Sequence, residues 1–191
     1  LYEEAIAEYS AVLVLEPDNQ NAKQAVGGLK AISRIKESLK PDSKDASGYV
    51  YIGHIYYARE MYKEAADNYN KALEIDPHYF QACHNLGLTH LDQRDAIEAI
   101  ADFGRALKIR PDDPDVLRNL GRAWRLKGDP LKAIENYRLA IQRRPDFAEA
   151  HFNLAIVHLL LGQFREGWEE YAWHWRRAGA PVVSPPASTA R

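Results

Sequence analysis

Most of this chain repeats with a single period, which is the spacing from Gly53 to Gly87. This period restricts the folds that the chain can adopt. Four columns of positions keep this period: small residues at Gly53, Gly87, Gly121 and Ala155; a second set at Ala65, Ala99, Ala133 and Gly167; aromatic rings at Tyr69, Phe103, Tyr137 and Tyr171; and prolines at Pro77, Pro111 and Pro145. Within each period, apolar residues recur at the spacing of an amphipathic helix. The sequence therefore predicts a stack of similar helical units, each packed on its neighbours.

The residue types in these columns have a physical explanation. We interpret the small residues as points where the two helices of a hairpin cross closely, because a larger side chain would push the helices apart. The aromatic rings would fill the space beside the crossing. Each proline follows a charged residue and would stop the preceding helix. Turns are predicted near residues 59–61, 93–95, 127–130 and 162–163.

The repeat unit carries a signature of small, apolar and aromatic residues. It reads Tyr49-x2-Ile52-Gly53-x2-Tyr56, Ala65-x3-Tyr69 and Pro77 in one copy, and Leu117-x2-Leu120-Gly121-x2-Trp124, Ala133-x3-Tyr137 and Pro145 in another. This signature resembles the tetratricopeptide repeat, over residues 46–177 and in part over residues 1–19. The resemblance implies an all-α, right-handed superhelical solenoid of antiparallel helix hairpins. It also implies that the first helix of each hairpin lines a concave groove, and that the protein is a scaffold binding another protein rather than an enzyme.

The register changes near the start of the chain. The step from Ala5 to Ala65, like the step from Pro17 to Pro77, is shorter than two repeat periods. We expect the following division: the end of an upstream repeat plus a closing helix at 1–39, a linker at 40–45, four repeat units at 46–79, 80–113, 114–147 and 148–177, and a flexible tail at 178–191. The alternative is one continuous solenoid with a single shortened repeat.

Charge and composition exclude several classes of protein. The chain has 25 basic and 27 acidic residues, and a net charge of −2 argues against a nucleic-acid-binding protein. Its single cysteine cannot form an internal disulfide, which favours a reducing compartment such as the cytoplasm. No apolar run approaches the ~20 residues that span a membrane. The chain begins at Leu1 inside a helical pattern, so we expect the N-terminus to be incomplete.

Histidine and cysteine are common in catalytic and metal sites, but their positions in this sequence do not indicate such a site. His90 and His158 fall in the column that holds Tyr56 and Trp124, which indicates packing rather than metal binding. Cys83 precedes His84 directly, and adjacent helical residues point about 100° apart, which makes a poor nucleophile–base pair. No metal-ligand or phosphate-loop spacing occurs. We therefore expect no enzyme activity, no metal and no cofactor.

A column of asparagines marks a candidate ligand surface. Asn85, Asn119 and Asn153 are separated by the repeat period, in the middle of three predicted first helices, and Tyr51 occupies the corresponding position one repeat earlier. An asparagine both donates and accepts hydrogen bonds, so such a column can hold the backbone of an extended peptide. The column resembles the asparagine ladder of the protein O-GlcNAc transferases. The alternative is that these side chains make contacts between repeats.

Arginines and apolar groups lie beside this column. Arg118, Arg122 and Arg125 share one helix face, in a repeat whose basic residues outnumber its acidic residues. They would select acidic side chains or a terminal carboxylate, whereas the alternative is a solvated face. The flanking groups are Tyr51, His54, Tyr57, His84, Leu88, Phe152 and Ile156. We expect an acidic peptide here, bound less tightly as salt increases.

The last hairpin is rich in aromatic residues. Phe164, Trp168, Tyr171 and Trp175 share one helix face and are expected to pack inward, whereas Trp173 points away and would mark a docking surface for a missing domain, a partner or a second copy. The segment resembles the final repeat of bacterial tetratricopeptide proteins often followed by a glycosyltransferase-like domain. The alternative function is therefore the substrate-recognition or docking region of a larger glycosyltransferase-like enzyme.

Overall fold

A computed structural model describes the backbone of residues 2–38 and 45–177, and the side chains of residues 4–34 and 45–173. This part of the chain contains ten helices and no strand, which confirms the all-α prediction. The helices are α1 Tyr2–Leu15, α2 Gln20–Ser38, α3 Ala46–Tyr57, α4 Tyr62–Ile75, α5 Phe80–Asp92, α6 Ala96–Ile109, α7 Pro114–Lys127, α8 Pro130–Arg143, α9 Ala148–Leu160 and α10 Phe164–Arg177. The expected tail at 178–191 and nearly all of the expected linker lie outside the described residues.

Short turns join the helices into hairpins. Helix α3 packs on α4, α7 on α8 and α9 on α10, and each predicted turn falls between two helices of a hairpin. The turns at Gly128 and Gly162 have φ of 87° and 73°, a conformation that glycine adopts without strain. The hairpin interpretation of the repeat period is therefore confirmed.

The chain divides into two compact units, Leu1–Ala82 and Cys83–Arg191. In the first unit, α1 packs on α2, and α2 contacts α3. The guanidinium of Arg59 also donates hydrogen bonds to the main-chain carbonyls of Gln24, at 3.1 Å, and of Ala25. Helix α2 is therefore tied to the α3–α4 hairpin. The division into four repeat units with a linker at 40–45 stays a prediction.

The small residues and the aromatic rings meet inside the hairpins. A Cβ placed on Gly121 would lie only 2.6 Å from Cε1 of Tyr137, whose side chain is wholly buried. The same contact recurs between Gly53 and Tyr69 and between Gly87 and Phe103. The aromatic column fills the crossing because glycine leaves room for the ring.

The second unit has a buried core shared by successive hairpins. Helices α7, α8 and α9 all contribute to it. Two clusters among the described residues are formed by Ala133, Ile134, Tyr137, Leu154 and Val157, and by Leu117, Ala140, Phe147 and Ala150. Each hairpin therefore depends on the next for part of its burial, as in other repeat arrays.

The prediction that the aromatic face of α10 packs inward is wrong for two residues. Phe164 is 64% exposed and Trp168 is 48% exposed. One period earlier, Ile134 holds the position of Trp168 and is covered by Leu154 and Val157 of the following hairpin. No described helix follows α10, so the described residues provide no following hairpin to cover the equivalent face. Tyr171 is half-buried, and the side chain of Trp175 lies outside the described residues.

None of the described helices combines the length and the apolar character needed to cross a membrane.

Candidate peptide-binding surface

Three arginines of α7 surround the glycine at the helix crossing. Arg118, Arg122 and Arg125 lie within about one helical turn of Gly121; Arg125 is exposed and the other two are half-buried. None of the three forms an ion pair with a described carboxylate. Other arginines of this unit do form ion pairs: Arg144 with Asp115, Arg143 with Asp112, Arg105 with Asp102 and Arg165 with Glu166. The α7 face therefore carries positive charge that no ion pair among the described residues neutralises.

Arg118 is the most constrained of the three. Its guanidinium lies 5.4 Å from the ring centroid of Phe147, and its Nε is buried without a hydrogen-bond partner among the described residues. Burial, and then the charge of Arg122, lower the pKa of Arg118. The charges of Asp115 and Glu149 oppose this shift in the Arg118 pKa. An arginine stays protonated despite such a shift, so the cost is desolvation and repulsion that these carboxylates relieve only in part.

A pocket opens beside Arg118, close to the start of α7 and of α9. It has a volume of about 320 Å³ and is lined by Asp115, Arg118, Arg144, Asp146, Phe147 and Glu149. Arg144 donates to Asp115 at 2.6 Å and lies 4.4 Å from the Phe147 ring centroid. The hydrogen bond to Asp115 raises the pKa of Arg144. Arg144 thus fastens the end of α8 to the start of α7 within one hairpin, whereas Arg118 forms no ion pair with the carboxylates that line the pocket.

Asn119 lies in a hydrogen-bonded network that joins two repeats. Its side chain is 1% exposed, its amide Nδ2 lies 3.1 Å from Nε2 of His84 on α5, and its Oδ1 accepts from Arg122 at 3.2 Å. Burial lowers the pKa of His84, which favours the neutral ring that can accept from the amide. Asn119 therefore makes a contact between repeats and also holds Arg122. Asn85 and Asn153 are half-buried.

The remaining predicted contacts are divided between the two units. In the first unit, Tyr51 and His54 are exposed and Tyr57 is half-buried, with the His54 ring 5.9 Å from that of Tyr69. In the second unit, Phe152 is partly exposed and its ring lies 5.9 Å from that of Tyr171. Leu88 and Ile156 are half-buried. Tyr51, His54 and Tyr57 therefore form one set, in the first unit, and the other predicted contact residues form a second set, in the second unit.

Tyr137 lies beside the arginines, a neighbourhood that sequence reasoning missed. Its position in the aromatic column predicted packing, and its ring does pack against Gly121. Its hydroxyl, however, is buried and forms no hydrogen bond among the described residues. Burial raises the pKa of Tyr137, and the charge of Arg125 opposes this rise.

His90 forms an ion pair with the buried carboxylate of Asp102. Asp102 is 1% exposed and accepts hydrogen bonds from Nδ1 of His90, at 2.6 Å, and from Arg105. The hydrogen bond with Asp102 raises the pKa of His90. The charged His90 therefore stabilises the fold below the ordinary histidine pKa, and this contribution is lost as pH rises through the raised pKa. We assign this pair to stability.

Trp173 is partly covered by its own chain. Its ring is half-buried and stacks on His151, with ring centroids 4.3 Å apart and planes 7° from parallel. Nδ1 of His151 lies 2.5 Å from Glu170, and Nε2 lies 3.0 Å from the carbonyl of Pro145. One face of Trp173 is therefore used inside the hairpin, and its role in docking stays a prediction.

Comparison with solved structures finds the same fold in MamA proteins. A crystal structure of MamA superposes with a TM-score of 0.75 at 22% identity, covering 85% of this chain and 94% of that chain. MamA of Desulfovibrio magneticus RS-1, from residue 41 to the end, gives 0.72 at 18% identity, over 87% and 91%. A further MamA crystal structure gives 0.72 at 20% identity, over 96% and 100%. At these identities the likeness shows the fold alone.

Sequence comparison identifies the repeats themselves. No curated protein sequence is significantly similar to this chain. The family model described as "TPR repeat" matches residues 53–93, and the one described as "Tetratricopeptide repeat" matches residues 84–146 and 127–172. These matches support a protein-interaction scaffold, and they give no support to a following glycosyltransferase-like domain. From its repeat period, its helical hairpins and these matches, the chain contains tetratricopeptide repeats over residues 53–172.

Proposed function

We propose that this scaffold binds an acidic peptide segment on the first-helix surface of its second unit, formed by α5, α7 and α9. The observation that carries the proposal is the unpaired positive charge of Arg118, Arg122 and Arg125 on one face of α7. Guanidinium groups pair with carboxylates through two parallel hydrogen bonds. An acidic segment would therefore supply the ion pairs that these arginines lack among the described residues.

The polar and apolar neighbours have separate roles in this proposal. Asn119 keeps Arg122 in position, because its Oδ1 already accepts from that guanidinium. Asn85 and Asn153 would hydrogen-bond the peptide backbone, whatever its sequence. The groups that would flank the bound segment are Leu88, Phe152, Ile156 and His84, and the first unit would offer a set of its own in Tyr51, His54 and Tyr57.

Charge reversal on α7 tests this proposal. We expect Arg118→Glu/Arg122→Glu to weaken binding of glutamate-rich peptides by at least tenfold, because two attractive pairs become repulsive. Binding to the wild type should weaken further as salt rises, since exposed charges are screened over ~8 Å at physiological ionic strength. A peptide array followed by titration of the best peptides at two salt concentrations measures both effects.

The matched control is Lys108→Glu/Arg138→Glu. These two residues are exposed and lie on second helices of the same unit, and the double change alters the net charge equally. We expect it to leave the set of bound peptides unchanged. If both double variants lose binding alike, net charge rather than the α7 face determines binding, and the proposal is wrong.

A second candidate surface is the uncovered face of α10. Phe164 and Trp168 are exposed there, and this face corresponds to the one that α9 covers on α8. It favours self-association or docking of another protein at the aromatic end of the array, including the edge of Trp173. Docking inside a larger glycosyltransferase-like enzyme is a narrower version of this candidate, and it rests only on the resemblance of the last repeat.

A further inference from the structure

Helix α3 contains no lysine, arginine, aspartate or glutamate, whereas α5, α7 and α9 each contain at least one. Its surface is aromatic instead: Tyr51 is 53% exposed, His54 is exposed and Tyr57 is half-buried. Partial burial lowers the pKa of His54, which favours the neutral ring. Arg59, which follows α3, donates its hydrogen bonds to carbonyls of α2. The first unit therefore presents an aromatic surface without charge.

The three aromatic side chains lie along one side of α3. They are spaced by three residues, so each is turned by about 60° from the one before it. The ring of Tyr57 meets that of Tyr62 on α4 edge to face, with centroids 5.8 Å apart, and the ring of His54 meets that of Tyr69 in the same way at 5.9 Å. Two of the three rings are therefore positioned by α4, and Tyr51 is the most accessible of the tyrosines.

The spacing of the two outer rings matches one turn of a polyproline II helix. Tyr51 and Tyr57 are six residues apart, which is about 9 Å along the axis of an α-helix. A polyproline II helix has three residues per turn and rises ~3.1 Å per residue, so the prolines of a Pro-x-x-Pro segment lie about 9 Å apart on one edge. A segment aligned with α3 therefore places one proline ring at each tyrosine.

The chemistry of this surface suits such a segment. A polyproline II helix has no internal hydrogen bonds, so its carbonyls can accept from tyrosine hydroxyls and from an imidazole N–H. Proline-rich segments dock on aromatic-lined grooves in several unrelated domains, because the extended helix is already formed before binding. An acidic peptide, in contrast, finds no basic side chain on α3.

We infer that the α3 face formed by Tyr51, His54 and Tyr57 binds an uncharged, proline-rich segment of another protein. Tyr51 and Tyr57 each pack on one proline of a Pro-x-x-Pro motif, and His54 lies between them, where it meets the peptide backbone. This surface belongs to the first unit and goes beyond the acidic-peptide surface of α7. The two surfaces differ in ligand chemistry, so each can be tested without the other.

Removal of the exposed tyrosine tests the inference. We expect the full wild-type chain to bind acetylated, amidated nonaproline, and Tyr51→Ala to bind it about tenfold more weakly, the usual scale for truncating a tyrosine inside an interface. The matched control is Tyr9→Ala, because Tyr9 is 43% exposed on α1 of the same unit. Amide chemical shifts of the ¹⁵N-labelled chain during titration measure each dissociation constant and locate the peptide, and thermal unfolding checks that both variants fold.

Two peptides of equal composition test the spacing on the wild type, without any variant. Acetylated, amidated Pro-Ala-Ala-Pro-Ala-Ala-Pro has prolines three residues apart, whereas Pro-Ala-Pro-Ala-Pro-Ala-Ala has none at that spacing. We expect the first peptide to bind more tightly. Acetylated, amidated hexaglutamate should bind wild type and Tyr51→Ala equally, which separates this inference from the proposed function.

Four outcomes overturn the inference. The wild type could fail to bind nonaproline, or Tyr51→Ala and Tyr9→Ala could weaken binding alike. The shift changes could fall on helices other than α3, or the two spacing peptides could bind equally. None of these results bears on the acidic-peptide proposal, which fails only if hexaglutamate does not depend on the α7 arginines.

Discussion

Glycine occupies two different environments inside the helices of this protein. A Cβ on Gly121 would overlap the ring of Tyr137, whereas a Cβ on Gly104 in α6 would meet no neighbouring atom within 4 Å. The first glycine is required by a close contact. The second weakens its helix, because glycine loses more backbone freedom on folding than alanine does.

Alanine at these two positions should have opposite effects on stability. We expect Gly121→Ala to lower the free energy of unfolding by ~1–3 kcal/mol, since the ring or the helix must move. Gly104→Ala should raise it by about 0.5–1 kcal/mol. Urea denaturation of the two variants beside wild type measures both. Equal stabilities would show that the assigned helix crossing is incorrect.

At the scale of the helix, the second helices differ in how they begin. Met61, Asp95 and Asp129 hold the same position in successive repeats and precede α4, α6 and α8. Asp95 accepts from the main-chain N–H of Glu98 at 3.2 Å, and Asp129 makes the same bond at the start of α8. Met61 has a similar backbone conformation but no side-chain acceptor, so the first turn of α4 lacks a cap.

Restoring the missing cap should stabilise the first unit. We expect Met61→Asp to raise the free energy of unfolding by about 1 kcal/mol, the usual value of an aspartate cap. Asp129→Ala should lower it by a similar amount. Thermal unfolding at low protein concentration compares the three proteins. A loss of stability in Met61→Asp would mean that its apolar contacts outweigh the cap.

The sequence predicted the helices, their turns and the glycine–ring contacts because these depend on residues within one repeat. It did not predict that Trp168 is exposed, because the cover of that face comes from the next hairpin and not from α10 itself. Asn119 is hydrogen-bonded to His84, which lies one repeat away. The meeting of Tyr137 with the α7 arginines required the geometry of the crossing. Periodicity left open the contacts that involve a second repeat or the side chains around the crossing.

At the scale of the whole molecule, its two candidate surfaces differ in chemistry. The α7 face carries unpaired positive charge, whereas the uncovered face of α10 is aromatic. Contiguous exposed apolar surface commonly marks an interaction site. A charged partner on one surface and an apolar partner on the other could therefore be bound independently.

The exposed aromatic face of α10 leads us to predict self-association through this helix. We expect wild-type protein to associate as its concentration rises, and Trp168→Glu to remain monomeric, because a charge is costly to bury in an apolar contact. Leu131→Glu is the control, since Leu131 is an exposed apolar residue on α8 of the same unit. Sedimentation velocity over a concentration series measures the effect. A wild type that stays monomeric throughout would eliminate self-association and leave a different partner for this face.

The glycine–ring contact also bears on how such an array can diversify. A glycine whose Cβ would lie this close to a buried ring cannot be enlarged unless the ring or the helix moves, so the two positions of a hairpin are coupled. The last hairpin has Ala155 in place of the glycine, and its ring, Tyr171, is only half-buried. A library designed to retarget this protein would have to vary both positions together, or keep both and randomise the α7 face alone.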